Sequence, residues 1–325
     1  MVQFPDPAQS PFRRQGQTLA VGKFDDPVRT ADGQRRAFVP LSNLTTLWFN
    51  TGTLCNLACA SCYIESSPTN DALVYITTAE VDAYLDEIAR DGIKTDVIGF
   101  TGGEPFMNRD MMPILWSTLG RGFKVLMLTN AMRPMRRFEE DLIALQAEHG
   151  ENIVMRVSLD HYSQDAHEGE RGDDTWHKAL DGVKWLGAHG FKVAIAGRQL
   201  ADESTEDAKR GYDRLMKAIG VPIDVNDPEA LVLFPEMDAT LDTPEITEAC
   251  WTTLSMPKET VMCSTSRMVV KRKGEPTPRV AACTLLPYDS QFDLGETLKQ
   301  ASQAVKLNHP HCSRFCVLGG ASCSG

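Results

Sequence analysis

Between residues 44 and 234 the chain alternates short apolar runs with helical stretches, and this alternation sets the folds open to it. Strands are predicted over 44–49, 97–100, 123–128, 153–159, 193–196 and 231–234. Helix signals fill the intervals. Thr77 followed by Glu80 is a capping box, Val81, Tyr84, Leu85 and Ile88 continue one apolar face, and Gly92 ends the helix. Further helices are predicted through Met111, Ile114 and Leu115, and over 138–147, 176–189 and 206–219. Strands joined through helices form parallel βα units, and repeated right-handed crossovers curl such a sheet toward a barrel. Six units fall short of the eight that close one. The expected class is α/β, a partial (βα)6 TIM-like barrel.

The chain of 325 residues holds such a barrel plus an appendage. Residues 1–43, with Pro5, Pro7, Pro11, Pro27 and Pro40 among polar residues, predict an extended arm lying on a main domain of 44–240. A net charge of −11 argues against a nucleic-acid partner bound through a broad basic face. No apolar run is long enough to span a bilayer, and residues 1–17 have no apolar signal core, so a soluble, cytoplasmic protein is expected. In that setting nine cysteines are better read as metal ligands than as disulfides.

Cys55, Cys59 and Cys62 follow the first strand in a Cys-x3-Cys-x2-Cys spacing. Three thiolates on one loop can converge on an iron–sulfur cubane and leave one iron without a protein ligand. Structural zinc, which wants four ligands in separated pairs, fits the spacing less well. Farther on come Phe100-Thr101-Gly102-Gly103-Glu104-Pro105, Leu128-Thr129-Asn130 and Val157-Ser158-Leu159-Asp160, each at or near a strand end. In α/β barrels the chemistry sits on loops after the C-terminal ends of strands.

The cysteine spacing, the aromatic Tyr63 directly after it and these three motifs in order resemble the radical S-adenosylmethionine (SAM) enzymes, over about residues 44–197. Two positions depart from the family: Ala131 and His161 stand where it often has Gly after Thr-Asn and after Ser-Leu-Asp. The resemblance implies that Cys55, Cys59 and Cys62 ligate a [4Fe–4S] cluster whose open iron binds SAM, with Tyr63 near the adenine. It implies that Gly102 and Gly103 let backbone approach the methionine amino group and that Glu104 accepts a hydrogen bond from it. Ser158 and Asp160 become candidates for the ribose or methionine end, and Arg171 for the methionine carboxylate. Thr129 and Asn130 read as turn chemistry, and His161, His167 and His177 as surface or helix-face residues.

The other six cysteines lie beyond Glu248. Cys250 follows a stretch read as helical, while Cys263 and Cys283 flank a β-hairpin over 268–283. Cys312, Cys316 and Cys323 lie in the tail. This arrangement over 241–325 resembles the auxiliary-cluster domains called SPASM, or twitch in the shorter form. The match is imperfect, because the full form has seven cysteines and a different tail spacing. One auxiliary [4Fe–4S] cluster is therefore expected, on Cys263, Cys283 and two of Cys312, Cys316 and Cys323, with Cys250 as a replacement. The competing reading is zinc, completed by His309 or His311.

The implied activity is reductive cleavage of SAM to a 5′-deoxyadenosyl radical, hydrogen abstraction, and oxidation or bond formation aided by the auxiliary cluster. A reductase such as flavodoxin or ferredoxin would supply the electron. The expected substrate is a small molecule or cofactor precursor, because 43 residues before the first strand leave little room for a peptide-recognition domain. The alternatives are a ribosomal-peptide maturase of the same superfamily, taking a short peptide, and a non-catalytic iron–sulfur or zinc carrier. A carrier has no need of Glu104 in its motif. A methyltransferase or thiolating member of the superfamily fits the C-terminal cysteines less well. Glu236, Asp238 and Tyr288 are also candidates to face the pocket.

Overall fold

A computed structural model describes residues 9–235 and 238–320. Its centre is an eight-stranded sheet in the order β7-β6-β5-β4-β3-β2-β8-β9. The six predicted strands are all present, as β2 (Thr46–Asn50), β3 (Val97–Thr101), β4 (Lys124–Thr129), β5 (Ile153–Ser158), β6 (Lys192–Arg198) and β7 (Leu231–Phe234). Each is parallel to its neighbour, with Leu47 opposite Ile98 and Val157 opposite Ile195. Strands covered on both faces read as continuous apolar runs, which is why these were legible. This is the open sheet of a partial barrel.

Between the strands run α1 (Thr78–Asp91), α2 (Met111–Gly120), the short α3 (Arg133–Arg136), α4 (Glu139–His149), α5 (Gln164–Arg171), α6 (Thr175–Ala188) and α7 (Thr205–Ala218). The capping box at Thr77 and Glu80 is formed on both sides, and Gly92 closes α1 in the left-handed region at φ +64°.

The predicted hairpin is present, its strands β8 (Ser266–Val270) and β9 (Arg279–Ala281) pairing antiparallel. Its first strand also joins the barrel sheet, because β8 pairs in parallel with β2, Trp48 opposite Met268. All five residues of β8 are buried, so it behaves as a seventh parallel strand. The segment before Cys250 is not helical either; Cys250 opens the four-residue α8 (Cys250–Thr253). Residues 245–248 instead run beside the arm: Ala37 donates its N–H to the Ile246 carbonyl at 2.8 Å, and Glu245 accepts from the Phe24 and Ala31 amides. Competing for those backbone donors keeps the segment extended. The arm also supplies β1 (Phe38–Val39), antiparallel to β10 (Val305–Lys306). A wide helical turn, Cys312–Val317, places Cys312 and Cys316 near one face.

Candidate functional site

The loops at the C-terminal ends of β2 through β7 enclose a cavity of about 170 Å³. Cys55, Cys59, Cys62, Tyr63, Gly102, Gly103, Ser158, Asp160 and Arg171 all line it. The motifs read one by one along the chain therefore meet in one place. Phe234, Leu285 and Phe315 form an apolar wall of the same cavity, with the two rings 5.6 Å apart.

The cysteine loop is held by side chains that its own motif does not contain and that line the same cavity. Glu170, 3% exposed at the end of α5, accepts from the Ser61 amide at 2.9 Å, the Ser61 hydroxyl at 2.8 Å and the Ser10 hydroxyl of the arm at 2.6 Å. Its carbonyl accepts from the Ala60 amide at 2.8 Å. Arg198, at the end of β6, lies 3.4 Å from the same carboxylate, donates to the Ser61 hydroxyl and stacks on Phe12. Sequence reasoning missed Glu170, Arg198 and Ser61, and only the adjacency of Glu170 to Arg171 hinted at the first.

The glycine pair is fixed by backbone packing on that loop. Gly102 sits at φ +145°, and a Cβ there would meet the Gly52 carbonyl oxygen at 2.5 Å. A Cβ on Gly103 would lie 2.2 Å from the Leu54 carbonyl oxygen. Neither neighbour is a side chain that can swing aside.

Glu104 is placed differently from the expectation. It does not line the cavity; it is 1% exposed beneath it and accepts from the Phe106 amide at 3.2 Å, the Thr129 hydroxyl at 2.9 Å and the Asn130 amide at 2.8 Å. Burial pushes its pKa up to about 7 despite these bonds. Thr129 and Asn130 are thus more than turn residues, although Thr129 Oγ1 does also accept from the Ala131 amide at 3.0 Å. Asn130 reaches the cysteine loop as well, donating to Asn56 at 2.9 Å.

Asp160 and Arg171 form a buried pair. Burial acts to raise the Asp160 pKa, but the Arg171 and Arg198 charges outweigh it and hold the carboxylate below its usual range. Ala131 has a left-handed backbone at φ +56°, a conformation that a glycine takes without strain. His161 and His167, read as surface or helix-face residues, are 2% and 0% exposed, His167 on the buried face of α5. The first accepts from or donates to Ser163 at 2.7 Å, and the second packs edge-on against Trp176. His177 is exposed as read. The Asp238 carboxylate accepts from the Thr240 amide, Tyr288 donates to the Ile64 carbonyl, and Glu236 lies outside the described residues.

Thiols are held neutral by burial, which pushes Cys55 up to about 12 and raises Cys59 and Cys62. Among the described residues no three His, Cys, Asp or Glu side chains already surround one point. Cys55 and Cys62 instead accept from the Leu57 and Ser66 amides, each at 3.4 Å. The donor chemistry suits a thiolate-bound centre, since the three thiols line one cavity, where Cys62 raises the pKa of both Cys55 and Cys59.

Cys263, Cys283, Cys312 and Cys316 line a second, smaller cavity with His311. Cys323 lies outside the described residues. Leu285 belongs to both cavities and separates them. This cavity is about 20 Å³, little more than one water.

Residues 49–207 match the Radical SAM superfamily. The chain carries a radical SAM domain. The family works with a [4Fe–4S] cluster and S-adenosylmethionine. The domain is 32% identical over 143 residues to the antilisterial bacteriocin subtilosin biosynthesis protein AlbA of Bacillus subtilis, across 44% of this chain and 30% of AlbA. It is 33% identical over 76 residues to the S-adenosylmethionine-dependent nucleotide dehydratase of Selenomonas ruminantium, across 23% of this chain and 26% of that protein. The chain thus spans less than a third of either relative's length. Among solved structures, Streptococcus suis SuiB bound to S-adenosylmethionine shares the fold at a TM-score of 0.55 and 12% identity, covering 78% of this chain and 63% of SuiB. SuiB has also been solved bound to the precursor peptide SuiA.

Proposed function

We propose that this protein is a radical SAM enzyme that abstracts hydrogen from an organic substrate in the barrel cavity, with a second metal centre beside it in 241–325. The observation that carries this reading is convergence: nine motif residues from three separate strand ends and the end of α5 line the cavity that holds three thiols. Cys55, Cys59 and Cys62 would hold the [4Fe–4S] cluster, and Tyr63, Gly102, Gly103, Ser158, Asp160 and Arg171 would hold SAM. When bound, the pair supplies radical chemistry, in which one electron from a flavodoxin- or ferredoxin-type reductase cleaves the sulfonium and a hydrogen atom leaves an unreactive carbon.

The chain's own contribution is positioning. Glu170 and Arg198 fix the height of the cysteine loop, the glycine pair brings backbone N–H and C=O groups to the cavity floor, and Glu104 ties the Gly-Gly turn to Asn130 and through it to Asn56. Asp160 holds the Arg171 guanidinium in place, leaving a cation facing the cavity to meet a carboxylate. Phe234, Leu285 and Phe315 exclude water and select a compact apolar group.

The proposed substrate is a small molecule or cofactor precursor that presents such a group. A second reading, in which the group is a side chain of a ribosomal peptide, is favoured by the likeness to AlbA and by SuiB with its bound SuiA. Beside the barrel, Cys263, Cys283, Cys312 and Cys316 are proposed as ligands of an auxiliary [4Fe–4S] cluster, which suits four thiolates. The small void and the nearness of His311 favour zinc as the second reading there.

The test is iron and sulfide content after anaerobic reconstitution, for the wild type and for Cys55→Ala/Cys59→Ala/Cys62→Ala. Two cubanes predict roughly 8 iron atoms falling to roughly 4. Roughly 4 falling to none, with zinc retained, would establish the zinc reading of the second site. A wild type without iron after competent reconstitution would sink the proposal.

A further inference from the structure

Arg267, on β8, is 1% exposed. Of the other buried arginines, Arg36 meets Glu245 at 2.5 Å and Arg198 meets Glu170, as the less buried Arg171 meets Asp160, while Arg156 donates to the Glu229 carbonyl at 3.4 Å. Arg267 has carbonyl groups instead. Its Nε donates to Ala301 at 2.8 Å, its Nη1 to Cys263 at 2.5 Å and Ser266 at 2.7 Å, and its Nη2 to Gln303 at 3.0 Å. No carboxylate pairs with it among the described residues. The groups whose charge acts on it are two thiols, Cys263 and Cys283, both of which line the second cavity.

Carbonyl dipoles solvate a guanidinium, but they carry no countercharge, and a lone buried cation is strongly unfavourable. Burial accordingly lowers the Arg267 pKa. The imbalance ends when the thiols become thiolates. Four of them around Zn²⁺ or around an oxidised cubane leave about two negative charges on the site. The same guanidinium fixes the Cys263 carbonyl at the base of the ligand segment.

We propose that Arg267 is the buried countercharge of the C-terminal thiol site, placed to neutralise part of the anionic tetrathiolate that Cys263, Cys283, Cys312 and Cys316 form around a metal centre. This rests on the reading of those cysteines as ligands. It adds that the site is built for an anionic occupant and that its affinity depends on a residue outside the ligand set. The rival role is a clip: carbonyl bonds to Ala301 and Gln303 that tie β8 to residues 301–303 whatever the site holds.

The two roles separate on charge. In the full chain carrying Cys55→Ala, Cys59→Ala and Cys62→Ala, zinc is the probe, its affinity measured by competition with a chromophoric chelator under anaerobic conditions. Arg267→Lys keeps the charge with fewer donors, whereas Arg267→Gln keeps donors without charge. The expected result is an affinity lowered by about tenfold or more in Arg267→Gln and by less than about threefold in Arg267→Lys, because an unscreened unit charge acts strongly on a nearby dianion. Melts of the metal-free forms are the second readout, in which the two variants should differ little. Equal affinities in Gln and Lys, whether both normal or both weakened, would overturn the countercharge role. Should the Gln variant not melt cooperatively, a tenfold loss in Arg267→Lys alone would overturn it. Failure of the parent chain to bind zinc or iron overturns the ligand reading itself, an outcome visible before any Arg267 variant is made.

Discussion

Glu170→Ala removes the post on which the cysteine loop rests, and its cost can be worked from the contacts. The carboxylate takes the Ser61 amide and hydroxyl and the Ser10 hydroxyl, and it pairs with Arg198 at 3.4 Å. Deleting one member of a buried ion pair costs about 3–5 kcal/mol, most of it for the charge left behind. Asp160 also acts on Arg198, which puts the charge component at the lower end. The orphaned Ser61 amide adds about 1 kcal/mol. Glu170→Ala should therefore destabilise by about 3–4 kcal/mol, and Glu170→Gln, which still offers Ser61 an acceptor, by about half as much. Adding Arg198→Met to Glu170→Ala removes the stranded charge, so the double variant should cost about 2 kcal/mol less than the sum of the single variants. Anaerobic urea unfolding of the metal-free protein measures all four. A cost below about 1 kcal/mol for Glu170→Ala, or an additive cycle, would refute the reasoning. Iron retention at the barrel cysteines gives a second readout, expected to fall in Glu170→Ala.

Gly103→Ala sets a methyl group 2.2 Å from the Leu54 carbonyl oxygen, and the displaced backbone should cost about 2–3 kcal/mol and lower iron bound at Cys55, Cys59 and Cys62; normal iron content would contradict it. Ala131→Gly should raise stability by about 0.5–1 kcal/mol, as relief of a left-handed alanine worth about 1–2 kcal/mol exceeds loss of a buried methyl worth about 0.8, and a lower melting temperature would show the reverse. Burial raises Glu104 from 4.5 to about 7, so the native state holds this proton more tightly than the unfolded chain. Its stabilising contribution is complete below about pH 4.5 and is lost as pH rises through about 7, a total of about 3 kcal/mol. Taken as metal-free wild type minus Glu104→Gln, the unfolding free energy should fall by about 3 kcal/mol over that window, and a flat difference would rule out the shift.

The barrel strands were readable because each is buried on both faces, so that Leu47, Ile98, Val125, Met155 and Ile195 sit in apolar runs with no polar side to confuse them. Helix α1 was readable because its caps are local, with Thr77, Glu80 and Gly92 acting within their own turns. The placement of β8 was not. An apolar strand before a turn is the same text whether it ends in a free hairpin or beside β2, and the choice is made by pairing with residues some 220 positions earlier. The stretch before Cys250 was misread for a related reason: Glu245 and Glu248 look like helix-surface residues, yet their carboxylates serve the amides of Phe24, Ala31 and Phe38 in a distant arm.

The same division runs through the site. Cys55, Cys59, Cys62, Gly102 and Gly103 are legible because they come in tight local spacing. Residues that hold those loops in place need only arrive from somewhere, and the fold brings them from other strands and helices. The end of α5 shows both kinds side by side: Arg171 turns to Asp160, whereas Glu170 turns to Ser61 and Arg198, and both line the cavity. Successive residues near a helix end point about 100° apart, so one short segment can serve two walls. The consequence is that the cavity-facing cation and the support of the cysteine loop are mechanically one part. A change that moves the end of α5 should disturb cofactor contacts and cluster retention together, even where no ligand is altered.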